Sequence, residues 1–377
     1  GHGCRSGRVA ARGGTRLTCA DLLGGLPANP AETGGHTHPG WRHERPLYVR
    51  AMNHSLSPRR VAAPLAMLTL ASCLAACSGA AVLDALTPSD GYQVQHDLTY
   101  GHEPRQQLDL YMPEGAPADA PLVVFFYGGN WESGDKATYR FVGQAFTARG
   151  YVTAIPDYRL FPQVRYPLFL EDAAAAVAWL HAQQPARPIY LMGHSAGAYL
   201  AVMLSLDPRW LGAHDQVPCQ LIAATVGLAG PYDFLPLHDA TLEQIFGPGP
   251  ASPQSQPINH VTPEAPPLLL ATGEDDHTVY PGNSERLTSA LLAAGAPVEL
   301  RLYPGVAHVG LVAALAAPLR FMAPILDDAD AFLRHPPTVA DRRCPAEDQV
   351  ARTPGAGRKP LTSSQASRSA SLAASIL

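Results

Sequence analysis

A serine, a histidine and a run of acids stand at three separate places in this chain, each directly after a short apolar segment. Ser195 lies in Gly193-His194-Ser195-Ala196-Gly197, and His308 closes Tyr303-Pro304-Gly305-Val306-Ala307-His308. Between them runs Gly273-Glu274-Asp275-Asp276-His277-Thr278-Val279. A serine hydroxyl is a poor nucleophile until a base takes its proton and backbone donors receive the charge that develops on the attacked carbonyl. Imidazole suits the base, because its ordinary pKa lets it accept and return a proton near neutral pH. A carboxylate behind the ring orients it and stabilises its protonated form. Taken singly, each motif has a plainer structural reading: a β-to-α loop, a solvated acidic turn, a structural histidine. Taken together they suit acyl transfer, and the question becomes whether one fold gathers them.

The donors have a candidate as well. Gly128-Gly129-Asn130-Trp131 follows the apolar run at residues 121–127, where backbone N–H groups can turn inward. With the N–H of Ala196, the amides of Gly128, Gly129 and Asn130 form the expected oxyanion hole, each such donor typically worth about 3 kcal/mol of barrier. Tyr127 and Trp131, at the two ends of this loop, are expected to contact substrate.

The elements that must position these groups alternate along the chain. Two weak strands are read within residues 91–111, and continuous apolar runs at 121–127 and 151–155 are of the kind buried on both faces of a parallel sheet. An amphipathic helix is expected at 171–184, the serine turn joins a short β-prone run to an Ala-rich helix, and strands follow at 221–228, 268–272 and 298–303. A helix is expected at 283–294 and Ala/Leu-rich helical sequence runs to about residue 333. Strand and helix in alternation predict a mostly parallel, doubly wound sheet with helices on both faces. Such a sheet carries its functional residues at the carboxyl ends of its strands, where the glycine loop, Ser195, the acids and His308 all fall. The long Pro- and Gly-rich connection at 231–267 is expected to wall the substrate pocket.

The order serine, acid, histidine is that of the α/β-hydrolases. Residues 91 to about 334 resemble that superfamily, near bacterial esterases and arylformamidase-like enzymes with an HGGxW motif and, more distantly, hormone-sensitive-lipase-type esterases. The matching stretches are YGGNW at 127–131, DYRLFP at 157–162, GHSAG at 193–197, Gly273 with Asp276 and Val279, and PGVAH ending at His308. The resemblance implies Ser195 as nucleophile, His308 as general base and acid, and Asp276 as the orienting carboxylate, with no metal or organic cofactor. Asp276 is preferred to Asp275 because the acid of that group lies three residues after the glycine. His194 and His277 are then neighbours rather than catalysts. Tyr127 stands where the motif has histidine, and its hydroxyl is expected to take over the steadying of the loop.

Composition separates this body from its flanks. Residues 78–335 carry 26 Asp and Glu against 12 Lys and Arg, whereas residues 1–77 carry 3 acids against 9 Arg. An acidic body argues against nucleic acid as partner, since phosphate binding needs clustered cations. Six cysteines show no C-x-x-C pair, and only Cys219 lies in the body, so neither a zinc ribbon nor a disulfide framework is expected to hold it. Residues 1–51, with seven Arg and no apolar periodicity, are read as disordered or as upstream sequence, and residues 335–377 as a disordered tail.

From Met52 a basic head, an apolar stretch at 61–73 and Leu74-Ala75-Ala76-Cys77-Ser78 stand in the order of a bacterial lipoprotein signal, which they resemble. That resemblance implies a signal peptide at 52–76, acylation of Cys77 and a linker at 77–90. It places the protein in the cell envelope, on the periplasmic side of the outer membrane, or in the cytoplasm if the signal is not used. The expected activity is hydrolysis of carboxylic esters with small acyl groups through an acyl-enzyme. The alternatives are an arylformamidase-like amidase using the same residues and a non-catalytic envelope scaffold.

Overall fold

The computed structural model describes residues 83, 86–247, 253–337 and 344. The expected signal peptide at 52–76, Cys77 and residues 1–51 lie outside the described residues, as does most of the C-terminal segment.

Eight strands form one sheet in the order β1-β2-β4-β3-β5-β6-β7-β8. They are β1 (Tyr92–Thr99), β2 (Gln107–Pro113), β3 (Leu122–Phe126), β4 (Val152–Pro156), β5 (Ile189–His194), β6 (Ile222–Leu228), β7 (Leu268–Gly273) and β8 (Val298–Tyr303). The pairings of β1 with β2 and of β2 with β4 are antiparallel, and all the others are parallel. The helices between them are α1 (Arg140–Thr147), α2 (Leu168–Gln183), α3 (Ala196–Leu206), the short α4 (Pro208–Gly212) and α5 (Pro218–Leu221), α6 (Ala240–Phe246), α7 (Gly282–Ala294), α8 (His308–Ala313) and α9 (Ile325–Arg334).

Every residue of β3, β4 and β7 is buried, as suits their mainly apolar sequence, whose polar members are Thr153 and Thr272. Alternate residues of β7 enter different cores. Leu268 and Leu270 pack with Val202 of α3 and with Leu287 and Leu291 of α7, whereas Leu269 and Ala271 belong to the cluster holding Leu326, Phe332 and Leu333 of α9. Helices therefore cover both faces of the sheet, as the strand-helix alternation predicts. Register sets the strand ends level with one another: Phe126 pairs with Gly193, His194 with Leu228, and Gly273 with Tyr303.

Three expectations change on contact with the fold. Helix α2 turns Phe169, Leu170, Ala173, Ala174, Ala176, Val177 and Leu180 to the body and leaves Leu168, Glu171, Ala182 and Gln183 exposed, but its buried side also carries a charge, Asp172. Its buried Asp172 is matched by the Arg159 guanidinium, with bonds of 2.6 and 2.8 Å. The connection at 231–267 contains α6, whose start is capped by Asp239 accepting from the N–H groups of Thr241 and Leu242. Cys219, beside the foot of β6, is disulfide-bonded to Cys344 with the Cα atoms 5.9 Å apart, so one point of the C-terminal segment is fastened to the body.

Candidate active site

The nucleophile candidate is presented by backbone geometry that few residues tolerate. Ser195 has φ 55° and ψ −123°, a left-handed conformation unfavourable for a residue with a Cβ. The turn from β5 into α3 is so tight that a Cβ on Gly193 would come within 2.2 Å of the Gly197 carbonyl oxygen. A Cβ on Gly197 would meet the Phe126 carbonyl oxygen of β3 at 2.0 Å, so both positions demand glycine. The Ser195 N–H donates to the Leu228 carbonyl at 2.9 Å, which fastens the turn to the next strand.

The three separate motifs meet over this turn. Ser195 Oγ lies 2.9 Å from His308 Nε2, and His308 Nδ1 lies 2.7 Å from Asp276 Oδ2. Asp276 is fully buried, and its other oxygen accepts the N–H groups of Thr278 and Val279 at 2.9 Å each. Burial opposes its charge, but the bond to His308 and the two amides outweigh that and hold its pKa below the ordinary carboxylate value. Glu274 and Asp275 are exposed on the same turn, as is His277. Of the three consecutive acids, the structure brings only Asp276 behind the imidazole. With its Nδ1–H given to a buried carboxylate, His308 presents an unprotonated Nε2 to the serine hydroxyl, the arrangement needed to remove that proton.

Gly128, Gly129, Asn130 and Ala196 all border the cavity above Ser195, which has a volume of about 760 Å³. The loop holding the first three turns sharply: Gly129, Asn130 and Trp131 have φ of 129°, 55° and 59°, and the Gly129 carbonyl accepts the N–H groups of both Glu132 and Ser133. The Asn130 side chain donates to Glu132 at 2.7 Å, so that residue faces the cavity alongside its own backbone. Trp131 also borders the cavity. Its ring is 2% exposed and sits among Phe169, Tyr199, Phe234 and Phe246, with centroid distances from 4.9 to 6.2 Å. From the connection at 231–267, Pro231, Asp233, Phe234 and Leu242 line the cavity, in the position expected for a substrate wall.

Tyr127 is a correction. Expected at the substrate, it is fully buried and lies outside the cavity lining. Its ring stacks between Tyr139 and Tyr158, its hydroxyl donates to Asp157 at 2.5 Å, and Arg105 donates to that hydroxyl at 2.7 Å. The same guanidinium reaches the carbonyls of Gly134 and Tyr158 at 2.8 Å each. Burial pushes the Tyr127 phenol well above its ordinary pKa and raises the Asp157 carboxyl too, so the phenol stays a donor. These bonds link the residue before the glycine loop to Asp157 and, through Arg105, to Gly134. Arg105 and Asp157 went unnoticed in the sequence as members of this group because each is a lone charge far from Tyr127 along the chain.

His194, set aside in the sequence as a neighbour, is 5% exposed, and its Nε2 bonds to the main-chain carbonyl of His308 at 3.0 Å. Burial, with the nearby His308 second, lowers its pKa to about 3, so the ring is neutral.

A mostly parallel sheet with helices on both faces and serine, acid and histidine at its strand ends is the arrangement of an α/β-hydrolase fold. Comparison with known proteins agrees. Residues 108–291 match the family model described as BD-FAE. Over 245 residues the chain is 31% identical to a probable isoprenylcysteine alpha-carbonyl methylesterase of Arabidopsis thaliana, covering 58% of this chain and 51% of that protein. Over 266 residues it is 26% identical to a kynurenine formamidase of Drosophila melanogaster, covering 66% of this chain and 83% of that one. The alignments span 51% to 60% of the length of the first methylesterase relatives. Among solved structures, esterase 2 of Thermogutta terrifontis in its apo form is 26% identical with a TM-score of 0.53, covering 66% of this chain and 95% of that one. A truncated carbohydrate esterase from gut microbiota, at 18% identity and a TM-score of 0.57 over 66% of this chain and 98% of that one, shares the fold. The chain has an α/β-hydrolase fold and is similar to esterases and a formamidase.

Proposed function

We propose that this protein is a serine carboxylesterase that cleaves esters with small acyl groups through an acyl-enzyme. Ser195 Oγ attacks the ester carbonyl while its proton passes to His308 Nε2, and the tetrahedral oxyanion is received by the amides of the glycine loop and of Ala196. Collapse expels the alcohol, which takes the proton from His308. Water, deprotonated by the same imidazole, then attacks the acyl-enzyme, and the carboxylic acid and free Ser195 are regenerated. Asp276 keeps the ring oriented throughout. The observation that carries this reading is the unbroken hydrogen-bonded line from Ser195 through His308 to Asp276. Trp131 and Phe234, beside the cavity, support a limit on acyl length.

The test is hydrolysis of short-chain nitrophenyl esters by the purified protein and by Ser195→Ala, together with labelling by a fluorophosphonate probe. Equal rates and equal labelling in the two would sink the assignment and favour a non-catalytic scaffold. A second reading, an amidase acting on formyl anilides, draws on the similarity to a kynurenine formamidase over 83% of that protein's length. A panel pairing formyl anilides with phenyl esters separates the two by kcat/KM.

We further propose that residues 52–76 direct export and that Cys77 is acylated, which anchors the enzyme in the cell envelope. The disulfide between Cys219 and Cys344 supports an oxidising compartment. Intact-mass measurement of the mature protein tests this: an unprocessed N-terminus without acyl chains would overturn it.

A further inference from the structure

We propose that His194 is a positioning residue of the ester reaction, holding the main chain of His308 so that the imidazole of His308 stays on Ser195; this rests on the roles proposed above for those two residues. His308 is the first residue of α8, a helix of six residues whose start has no side-chain cap. Its ring is fixed at one end by Asp276, 2.7 Å from Nδ1. The backbone that carries the ring needs its own restraint, because a shift of the helix start moves Nε2 away from the hydroxyl even while the bond to Asp276 survives. His194 supplies that restraint from the residue immediately before the nucleophile, with Nε2 3.0 Å from the His308 carbonyl oxygen. One side chain thus ties the base to the nucleophile across 114 residues of sequence.

The chemistry of the ring fits this task. Bonding to a carbonyl oxygen requires Nε2 to carry the proton, which leaves Nδ1 as an acceptor. That Nδ1 is buried without a partner, which disfavours the folded state. It lies under the oxyanion loop: a Cβ on Gly128 would come within 3.1 Å of it and within 2.9 Å of the Ser195 Cβ. The ring therefore fills the space between nucleophile, base and oxyanion loop, and neutrality matters there. Its centroid is 4.7 Å from that of His308, so a charged His194 would repel the imidazolium formed when Ser195 attacks.

The test compares His194→Leu, His194→Phe and His194→Gln in the full-length protein, reading kcat and KM on a nitrophenyl ester and the second-order rate of fluorophosphonate labelling. Leu and Phe lack the donor, whereas the Gln amide can reach the same carbonyl. Loss of positioning is expected to lower kcat and the labelling rate together by about ten- to a hundred-fold in Leu and Phe, with KM changed by less than about two-fold. Gln is expected to recover most of both. Because labelling marks only folded, competent sites, titrating those sites before computing kcat removes any loss of folding from the comparison. The inference is overturned if Leu and Phe match the wild type, or if Gln is as impaired as they are. A wild-type protein that neither labels nor turns over removes the proposed function itself, a separate result.

Discussion

Asp276 and His308 face each other across 2.7 Å, and the carboxylate is fully buried while the imidazole it supports reaches the cavity. The pair is thus asymmetric: one member is sealed in the protein and the other meets substrate. In Asp276→Asn the amide nitrogen would face Nδ1 as a donor and favour the wrong tautomer, so kcat on a nitrophenyl ester is expected to fall about 10³- to 10⁴-fold with the fold intact by circular dichroism. The substitution should also change the acid limb of stability. Because the folded-state pKa of Asp276 lies below its ordinary value of 3.8, its contribution to stability is complete above that value and disappears as pH falls below it and through the native value. Urea midpoints measured from pH 6 to pH 2 should therefore show the wild type converging on the variant at the acid end.

The left-handed backbone at Ser195 makes a prediction independent of activity. Ser195→Ala keeps the unfavourable φ of 55°, whereas Ser195→Gly relieves it. Both lose the hydroxyl and both should be inert, but the Gly variant should be the more stable by about 1 kcal/mol in urea unfolding. An Ala variant as stable as the Gly variant would show that the turn stores no strain.

Removing the hydroxyl of Tyr127 leaves a buried carboxylate and a guanidinium without their shared partner. Tyr127→Phe is expected to lower stability by about 1–3 kcal/mol in chemical unfolding and to reduce kcat through the loop it supports. Were its contribution confined to substrate contact, KM would rise and stability would not change.

Trp131 closes one side of the cavity within a box of four aromatic rings. Trp131→Ala should cost about 3–5 kcal/mol in stability and open space beside Ser195. In a series of nitrophenyl esters of increasing acyl length, the longest substrate accepted should lengthen by several carbons relative to wild type. An unchanged length profile in a folded variant would move the acyl site elsewhere in the cavity.

The strand-turn-helix at Ser195 was legible because its requirements are local: an apolar strand, two glycines packed against backbone, and an Ala-rich helix. The order of serine, acid and histidine was legible because alternation of strand and helix places loop residues at one edge of the sheet. What escaped the sequence depends on contacts remote along the chain. Tyr127 was assigned to substrate because it ends a strand beside the glycine loop, but Asp157 and Arg105 draw its hydroxyl the other way. In helix α2 the burial of Asp172, next to the exposed Glu171, depends on Arg159 from another loop. Helix α6 was hidden among prolines and glycines, although Asp239 ahead of Ala240 and Thr241 is a capping signal. The bond from His194 to the main chain of His308 had no signal beyond the place of His194 next to Ser195.

The bond between Cys219 and Cys344 closes a ring of chain around β6, β7 and β8, with 125 residues separating its two ends. A protease that nicks the backbone anywhere inside that ring leaves the fragments covalently joined, and a clipped molecule would migrate as an intact one until thiol is added. The stretch bearing Asp276 and His308 thereby stays attached to the stretch bearing Ser195 after damage that would otherwise separate them.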